Sequence, residues 1–210
     1  MMKKIENIIL DYGNVIFMID FLRAREAFML LGIKNVDDFF GHAGQDPLFD
    51  AFDKGKIDRI EFREEIRQRT NSPTLKDQQI DDAWNALLIG VPEGKHEILE
   101  KLNANYRSFL LSNNNEIHYD RCMQHIQENY GIKDNSVFFE QTFYSHLMGM
   151  RKPDKEIFEK VVEETGILPQ QTLFVDDSPQ HLATAKILGF HTELCTKELP
   201  LEAIIEKWQL

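Results

Sequence analysis

The apolar positions change rhythm along the chain, and each change marks an element. Residues 5–11 (IENIILD) hold a short apolar run that ends on an aspartate, the pattern of a buried strand. Gly13-Asn14 then breaks it. From about residue 20 to 89 the spacing is helical. One stretch over 21–31 stops at Gly32, as a helix C-terminus does. Asp58 stands where an N-cap belongs, with Glu61 three residues on as its capping-box partner. A further amphipathic stretch, 75–89, is closed by Gly90. Helices and strands then alternate. The helices are expected over 91–103, 116–129, 154–165, 179–188 and 201–208. The strands are expected over 107–112, 136–139, 172–176 and 190–195.

Strands alternating with helices predict an α/β fold, a Rossmann-like parallel five-stranded sheet covered on both faces. The helical block breaks that alternation and is expected to be an inserted all-helical cap over 17–90. Residues 1–16 and 91–210 then form the α/β core. Phe21, Phe28, Phe39, Phe40, Phe49, Phe52 and Phe62 supply the cap with a core of its own. Arg23, Arg25, Arg63, Arg67 and Arg69 are expected on solvated helix faces, and Trp84 and Trp208 in packing positions.

The 210 residues suit one large domain, or a core domain carrying an insertion. A net charge of −11 disfavours nucleic acid, whose phosphates need clustered Lys and Arg. No apolar run is long enough to cross a bilayer, so no membrane partner is expected. Met-Met-Lys-Lys is followed by Ile5-Glu6-Asn7 and only three apolar residues before Asp11. That is no signal core, and a cytoplasmic chain is expected. Cys122 and Cys195 are far apart and read as two reduced thiols.

Polar residues gather where strands end, which is where open parallel sheets bind ligands. The strand ends carry Asp11, Ser112-Asn113-Asn114 and Asp176-Asp177, and the turn before residue 154 carries Arg151-Lys152-Pro153. A lone aspartate at a strand end is commonly just a cap for the next helix. Three strand ends and a lysine in agreement ask for chemistry. Clustered carboxylates repel one another and need a cation. A ligand set of oxygens alone, without His or Cys, selects a hard ion such as Mg2+. An ammonium and a hydroxyl beside such an ion suit a phosphoryl group, and a carboxylate in line with phosphorus can act as nucleophile.

On these residues the chain resembles the haloacid dehalogenase superfamily of aspartate-nucleophile hydrolases. The matching segments are LDYGNVIF at 10–17, LLSNNN at 110–115, GMRKPD at 149–154 and LFVDDSPQHLATAKILGF at 173–190. The segment FDAFDKGKIDRIEF at 49–62 resembles the helical caps of that family. Within it, the subgroup of bacterial glucose-1-phosphatase and of the phosphatase-like domain of epoxide hydrolases is the most similar. The resemblance implies a Mg2+-dependent phosphatase acting on a small phosphorylated metabolite. Asp11 would be nucleophile and metal ligand, and the Gly13 carbonyl a second ligand. Asp177 would bind the metal directly and Asp176 through water, or the two would exchange these roles. Ser112 and the N–H of Asn113 would bind phosphoryl oxygens, and Lys152 would neutralise both nucleophile and phosphoryl group.

Most phosphatases of this family carry a second aspartate, an acid–base group, where this chain has Gly13. Such a group contributes ~10²–10⁴-fold to rate. Its absence favours substrates whose leaving group departs with little protonation, such as a sugar 1-phosphate, or leaves a substrate hydroxyl, a cap residue or a metal-bound water to replace the acid. His181, near the last motif, is expected to be an ordinary helix-face residue. Two alternatives stand beside this expectation. One is a non-catalytic phosphate-ligand sensor or interaction module on the same fold. The other is a dehalogenase, which the Asp176-Asp177 pair and the Arg-Lys-Pro segment disfavour.

Overall fold

The structure, a computed structural model, describes residues 4–33 and 46–210, so the expectations for Phe39 and Phe40 lie outside the described residues. β1 (Asn7–Leu10) leads through a tight turn into β2 (Met18–Ile19). Among the described residues four helices follow: α1 (Phe21–Leu30), α2 (Pro47–Asp53), α3 (Arg59–Thr70) and α4 (Asp77–Asn85). β3 (Leu88–Gly90) returns antiparallel to β2. The chain then alternates through α5 (Lys95–Asn105), β4 (Arg107–Ser112), α6 (Glu116–Tyr130), β5 (Gln141–Tyr144), α7 (Ser145–Met148), α8 (Lys155–Thr165), β6 (Thr172–Asp176), α9 (Pro179–Ile187), β7 (His191–Leu194) and α10 (Leu201–Trp208).

The main sheet has the order β5-β4-β1-β6-β7, parallel throughout. β1 is central and buried along its whole length, which explains its unbroken apolar run. Successive side chains point to opposite faces. Ile8 and Leu10 of β1, Leu110 of β4, and Leu173 and Val175 of β6 share one core with Leu99 and Leu102 of α5, Cys122 and Ile126 of α6, and Leu201 and Ile204 of α10. Ile9, Phe109, Leu111 and Phe174 meet Ile157, Phe158 and Val161 of α8 and Ala185 of α9 on the other face. The path runs outward from β1 to β4 and β5, then crosses back to β6 and β7. Beside β1 the direction of winding therefore reverses, and such a switch point leaves a crevice beyond the strand C-termini.

Helices α1 to α4 bury a separate set: Ala24, Phe28, Leu48, Phe49, Phe52, Phe62, Ile66, Ile80, Ala83 and Trp84, joined by Ile117 from α6. Phe52 and Phe62 stack with centroids 4.3 Å apart. Each such ring contributes about 1.5–3 kcal/mol by leaving water. Phe21 is the exception among the described phenylalanines of this block, being 53 % exposed. Arg63 and Arg67 are also not merely solvated. Arg63 reaches Asp81 at 2.6 Å and Asp77 at 3.1 Å, and Arg67 pairs with Asp77, so both tie α3 to α4. The capping box forms as expected: the Asp58 side chain accepts from the N–H groups of Ile60 and Glu61, and Glu61 accepts from the N–H of Asp58.

The block over 17–90 is not all helical, since β2 and β3 pair at its root, and, beyond shifts of one or two residues, three boundaries differ from expectation. The strand expected over 136–139 is a 3₁₀ turn, Asn135–Phe138, because Asp134 caps it by accepting from the Ser136 N–H. The fifth strand of the sheet forms later, at Gln141–Tyr144, where Tyr144 comes level with Ser112. The amphipathic stretch over 75–89 is helical only to Asn85, and its end supplies β3 instead. Finally, α5 starts at Lys95 rather than at 91.

Candidate active site

The C-terminal ends of β1, β4 and β6 sit side by side, since Leu10 pairs with both Leu110 and Val175. The residues just beyond must therefore meet. Asp11 stays in the ladder through its N–H, which donates to the Val175 carbonyl at 2.9 Å. The chain then turns tightly, with Ile16 and Phe17 N–H both donating to the Tyr12 carbonyl. Asn14 makes this turn in the left-handed region at φ 54°, which asparagine tolerates better than most residues. Its side chain works at both ends: Nδ2 donates to Asp177 Oδ2 at 2.9 Å, and Oδ1 accepts from the Ile19 N–H at 3.1 Å.

Lys152 is fully buried. Its Nζ lies 2.7 Å from each of Asp11 Oδ1, Asp176 Oδ2 and the Leu111 carbonyl. An ammonium has three protons, and these three acceptors take them all. The backbone of Lys152 is fixed by Asn113, whose Oδ1 accepts from the Lys152 N–H and whose Nδ2 donates to its carbonyl, both at 2.9 Å. Burial alone would lower the pKa of Lys152, but Asp11 and Asp176 outweigh it and hold it above that of an ordinary lysine.

Asp176 is wholly buried. Its carboxylate accepts from Lys152 and from the Ser178 N–H, and lies 2.9 and 3.0 Å from His181 Nδ1. Burial would raise its pKa, but Lys152 and His181 bring it below the usual value. His181 is thus no ordinary helix-face residue; burial lowers its pKa, and its bond to Asp176 works against that. Burial pushes Asp11 up to about 7; Lys152 pulls down while Asp176 and Asp177 push up. Asp177 is also raised, by burial first and then by Asp176, against its bond from Asn14.

Among the described residues, Asp11, Asp176 and Asp177 offer carboxylate oxygens that all lie within 4.8 Å of one another. Three clustered carboxylates, two of them with raised pKa, against one ammonium leave negative charge for a cation. A donor set of oxygens alone fits a hard divalent ion. Ser112, at the end of β4, is buried, and among the described residues its hydroxyl makes only a long 3.4 Å contact, to the Asn113 carbonyl. The side chain of Asn113 is engaged by the backbone of Lys152.

Sequence reasoning missed a second polar cluster beside these residues. Asn115 Nδ2 donates to Asp53 Oδ1 at 3.0 Å, and Ser145 Oγ lies 2.6 Å from the Asp53 carbonyl. The same hydroxyl accepts from the Asn114 N–H at 2.8 Å. Arg151 reaches Asp50 at 3.2 Å, and Lys54 bridges Asp50 and Asp154 at 3.2 and 3.1 Å. Gly55, at φ 61°, approaches so closely that a Cβ there would collide with the His146 carbonyl. The end of α2 is thereby fastened to the segment that carries Lys152. The run Asp53-Lys54-Gly55 was the available signal, a charged stretch closed by a glycine.

A parallel sheet with an aspartate at the switch point, a buried lysine and a paired acid at the next strand defines a class of hydrolase. The chain belongs to the haloacid dehalogenase-like hydrolases, whose family model matches residues 8–189. It is 29% identical over 188 residues to the D-ribitol-5-phosphate phosphatase of Bacteroides thetaiotaomicron, covering 90% of each chain. A HAD family enzyme of that organism, crystallised with magnesium and inorganic phosphate, is 36% identical. Its TM-score is 0.81, with coverage of 91% of this chain and 94% of that one. A predicted HAD-like family hydrolase from Porphyromonas gingivalis is 31% identical with a TM-score of 0.83, covering 91% of both chains.

Proposed function

We propose that this chain is a magnesium-dependent phosphatase of a small phosphorylated metabolite, with the Asp11 carboxylate as nucleophile. The observation that carries this is Lys152, whose buried ammonium is held at 2.7 Å from both Asp11 and Asp176 beside a third carboxylate. Mg2+ would neutralise charge on the phosphoryl oxygens when bound. Asp11, Asp177 and the Gly13 carbonyl would hold it. Asp176, with its carboxylate engaged by Lys152, Ser178 and His181, would act through water.

Asp11 attacks phosphorus and carries the phosphoryl group as an aspartyl-phosphate. Lys152 keeps Asp11 oriented and offsets the charge that develops in transfer. Ser112 and the Asn113 N–H bind phosphoryl oxygens. Residues 17–90 form the cap that controls which metabolite reaches Asp11.

Gly13 favours a sugar 1-phosphate, whose anomeric oxygen leaves readily. The likeness to a D-ribitol-5-phosphate phosphatase favours a sugar alcohol phosphate instead. Phosphate release should be measured for both, with and without magnesium, alongside a panel of other phosphorylated metabolites. Magnesium-dependent release is expected. No release from any phosphoester, with binding of phosphorylated ligands retained, would leave the sensor reading in its place.

A further inference from the structure

We propose that Ile19 closes position 13 to an acid–base side chain, an assignment that rests on the phosphatase function above. It fills the space into which a side chain at position 13 would project, and so keeps any acid–base group away from Asp11. Gly13 follows the nucleophile by two residues, and its φ lies outside the left-handed region, so backbone conformation does not demand glycine there. A Cβ at position 13 would stand 3.1 Å from Ile19 Cδ1 and 3.8 Å from Ile19 Cγ1. The first distance is tighter than ordinary van der Waals contact, and the carboxyl group of an aspartate needs more room beyond that Cβ.

Ile19 is held from several sides. Its N–H donates to Asn14 Oδ1, and its backbone pairs with Leu88 in the β2–β3 ladder. Its side chain packs against both the sheet core and the helical core. Moving it aside disturbs the junction of two packed clusters. Gly13 and Ile19 are therefore complementary, one vacating the space and the other occupying it.

The chemical consequence follows from the two transfers. In the first, a bond forms from an Asp11 oxygen to phosphorus while the bond from phosphorus to the leaving oxygen breaks. That oxygen keeps the electron pair and needs a proton if it is a strong base. In the second, a water oxygen bonds to phosphorus, the bond to Asp11 breaks, and the water gives up a proton. A carboxyl group at position 13 would donate in the first step and accept in the second; an isoleucine does neither. The site is thereby biased toward phosphates whose leaving oxygen is a weak base, such as sugar 1-phosphates, acyl phosphates and aryl phosphates. Phosphates of simple primary alcohols are disfavoured.

The test compares wild type, Gly13→Asp, Ile19→Ala and the double variant, with magnesium. It uses aryl phosphates of graded leaving-group pKa and a simple alkyl phosphate, and follows kcat/KM and melting temperature. Wild-type phosphate release from the whole phosphoester panel is read first, since release from none of them sinks the phosphatase function and not this assignment. Wild type and Ile19→Ala should both depend steeply on leaving-group pKa, as neither has the proton donor. Gly13→Asp alone should melt lower and lose activity. The double variant should recover stability, show a flatter dependence, and turn over the alkyl phosphate about tenfold or more faster than wild type. A folded double variant as steep as wild type would overturn the assignment, as would Gly13→Asp alone matching the double. If the double variant does not fold, Gly13→Ala, Ile19→Val and their pair decide the matter. Ile19→Val removes Cδ1 and should cancel the melting loss of Gly13→Ala; additive shifts would sink the proposal.

Discussion

Lys152 places all its ammonium protons on protein oxygens, and two of those oxygens belong to carboxylates. Truncating one member of a buried ion cluster typically costs about 3–5 kcal/mol, because the partners stay buried without compensation. Lys152→Ala should therefore lose stability on that scale in urea melts, together with a fall in kcat/KM of a hundredfold or more. Asp11→Asn should behave in the opposite way on stability. Burial raises the Asp11 pKa from 3.8 to about 7 in metal-free protein. The folded state thus binds that proton more tightly than the unfolded state, and stability is lost as pH rises across this window. An amide removes the penalty. In metal-free buffer Asp11→Asn should melt above wild type at pH 8, with the gap closing toward pH 4, and should release no phosphate at any pH. A lower melting temperature for Asp11→Asn at pH 8 would contradict this. Asp11, Lys152 and Asp177 were legible in the sequence because ionised groups at strand ends are costly without a purpose. The Asn113 clamp and the two-ended Asn14 were not, since a neutral amide shows its partners only after distant strands have closed on it.

At the scale of elements, the junction of α4 with α6 is decided by a small polar network inside an apolar setting. His118 Nε2 lies 3.1 Å from the Trp84 carbonyl and Nδ1 lies 3.2 Å from Asn115 Nδ2. The imidazole also stacks on the Trp84 ring at 4.4 Å. Donation to a carbonyl from one nitrogen and acceptance from an amide at the other describe a neutral ring with its proton on Nε2. Burial lowers the pKa of His118 from 6.5 to about 4. Below pH 6.5 the unfolded chain takes up a proton that the folded chain refuses, so stability falls from pH 6.5 to about 4 and levels off below. The loss is on the order of 3 kcal/mol. His118→Gln should be less stable at neutral pH yet show a shallower decline over that window in denaturant melts. An unchanged slope would remove His118 as its source. The network explains why the sequence predicted the helices here but not their joint: periodicity marks an apolar face without naming the polar atoms inside it. The 3₁₀ turn at Asn135–Phe138 is a similar case. Val137, Phe138 and Phe139 have strand-like composition, and the local cap from Asp134 overrides it.

For the whole molecule, the alternation of strands and helices was readable because a sheet buried on both faces demands apolar runs, and the chain supplies them in order. The reversal of winding beside β1 was implied less directly, by where the polar residues collected. The candidate site sits on that reversal, and its charge imbalance couples to global stability. A divalent cation that binds only the folded chain should raise its melting temperature. At 100-fold excess over Kd the gain is about 2.7 kcal/mol, or roughly 5–10 °C for a chain of this size. Calorimetry with and without millimolar magnesium would show the shift, and Asp177→Asn should abolish most of it. Equal shifts in the variant and wild type would place the ion elsewhere.

One side chain joins that charge centre to the root of the helical block. Asn14 grips Asp177 with its amide nitrogen and the Ile19 N–H of β2 with its oxygen, so it works as a short connecting rod. Whatever tugs on the carboxylate at one end is transmitted to β2 at the other. Loading the site with magnesium should therefore alter hydrogen–deuterium exchange at the Ile19 amide, some distance along the chain from any ligand. Asn14→Ala should uncouple the two, leaving exchange at that amide fast and indifferent to the ion.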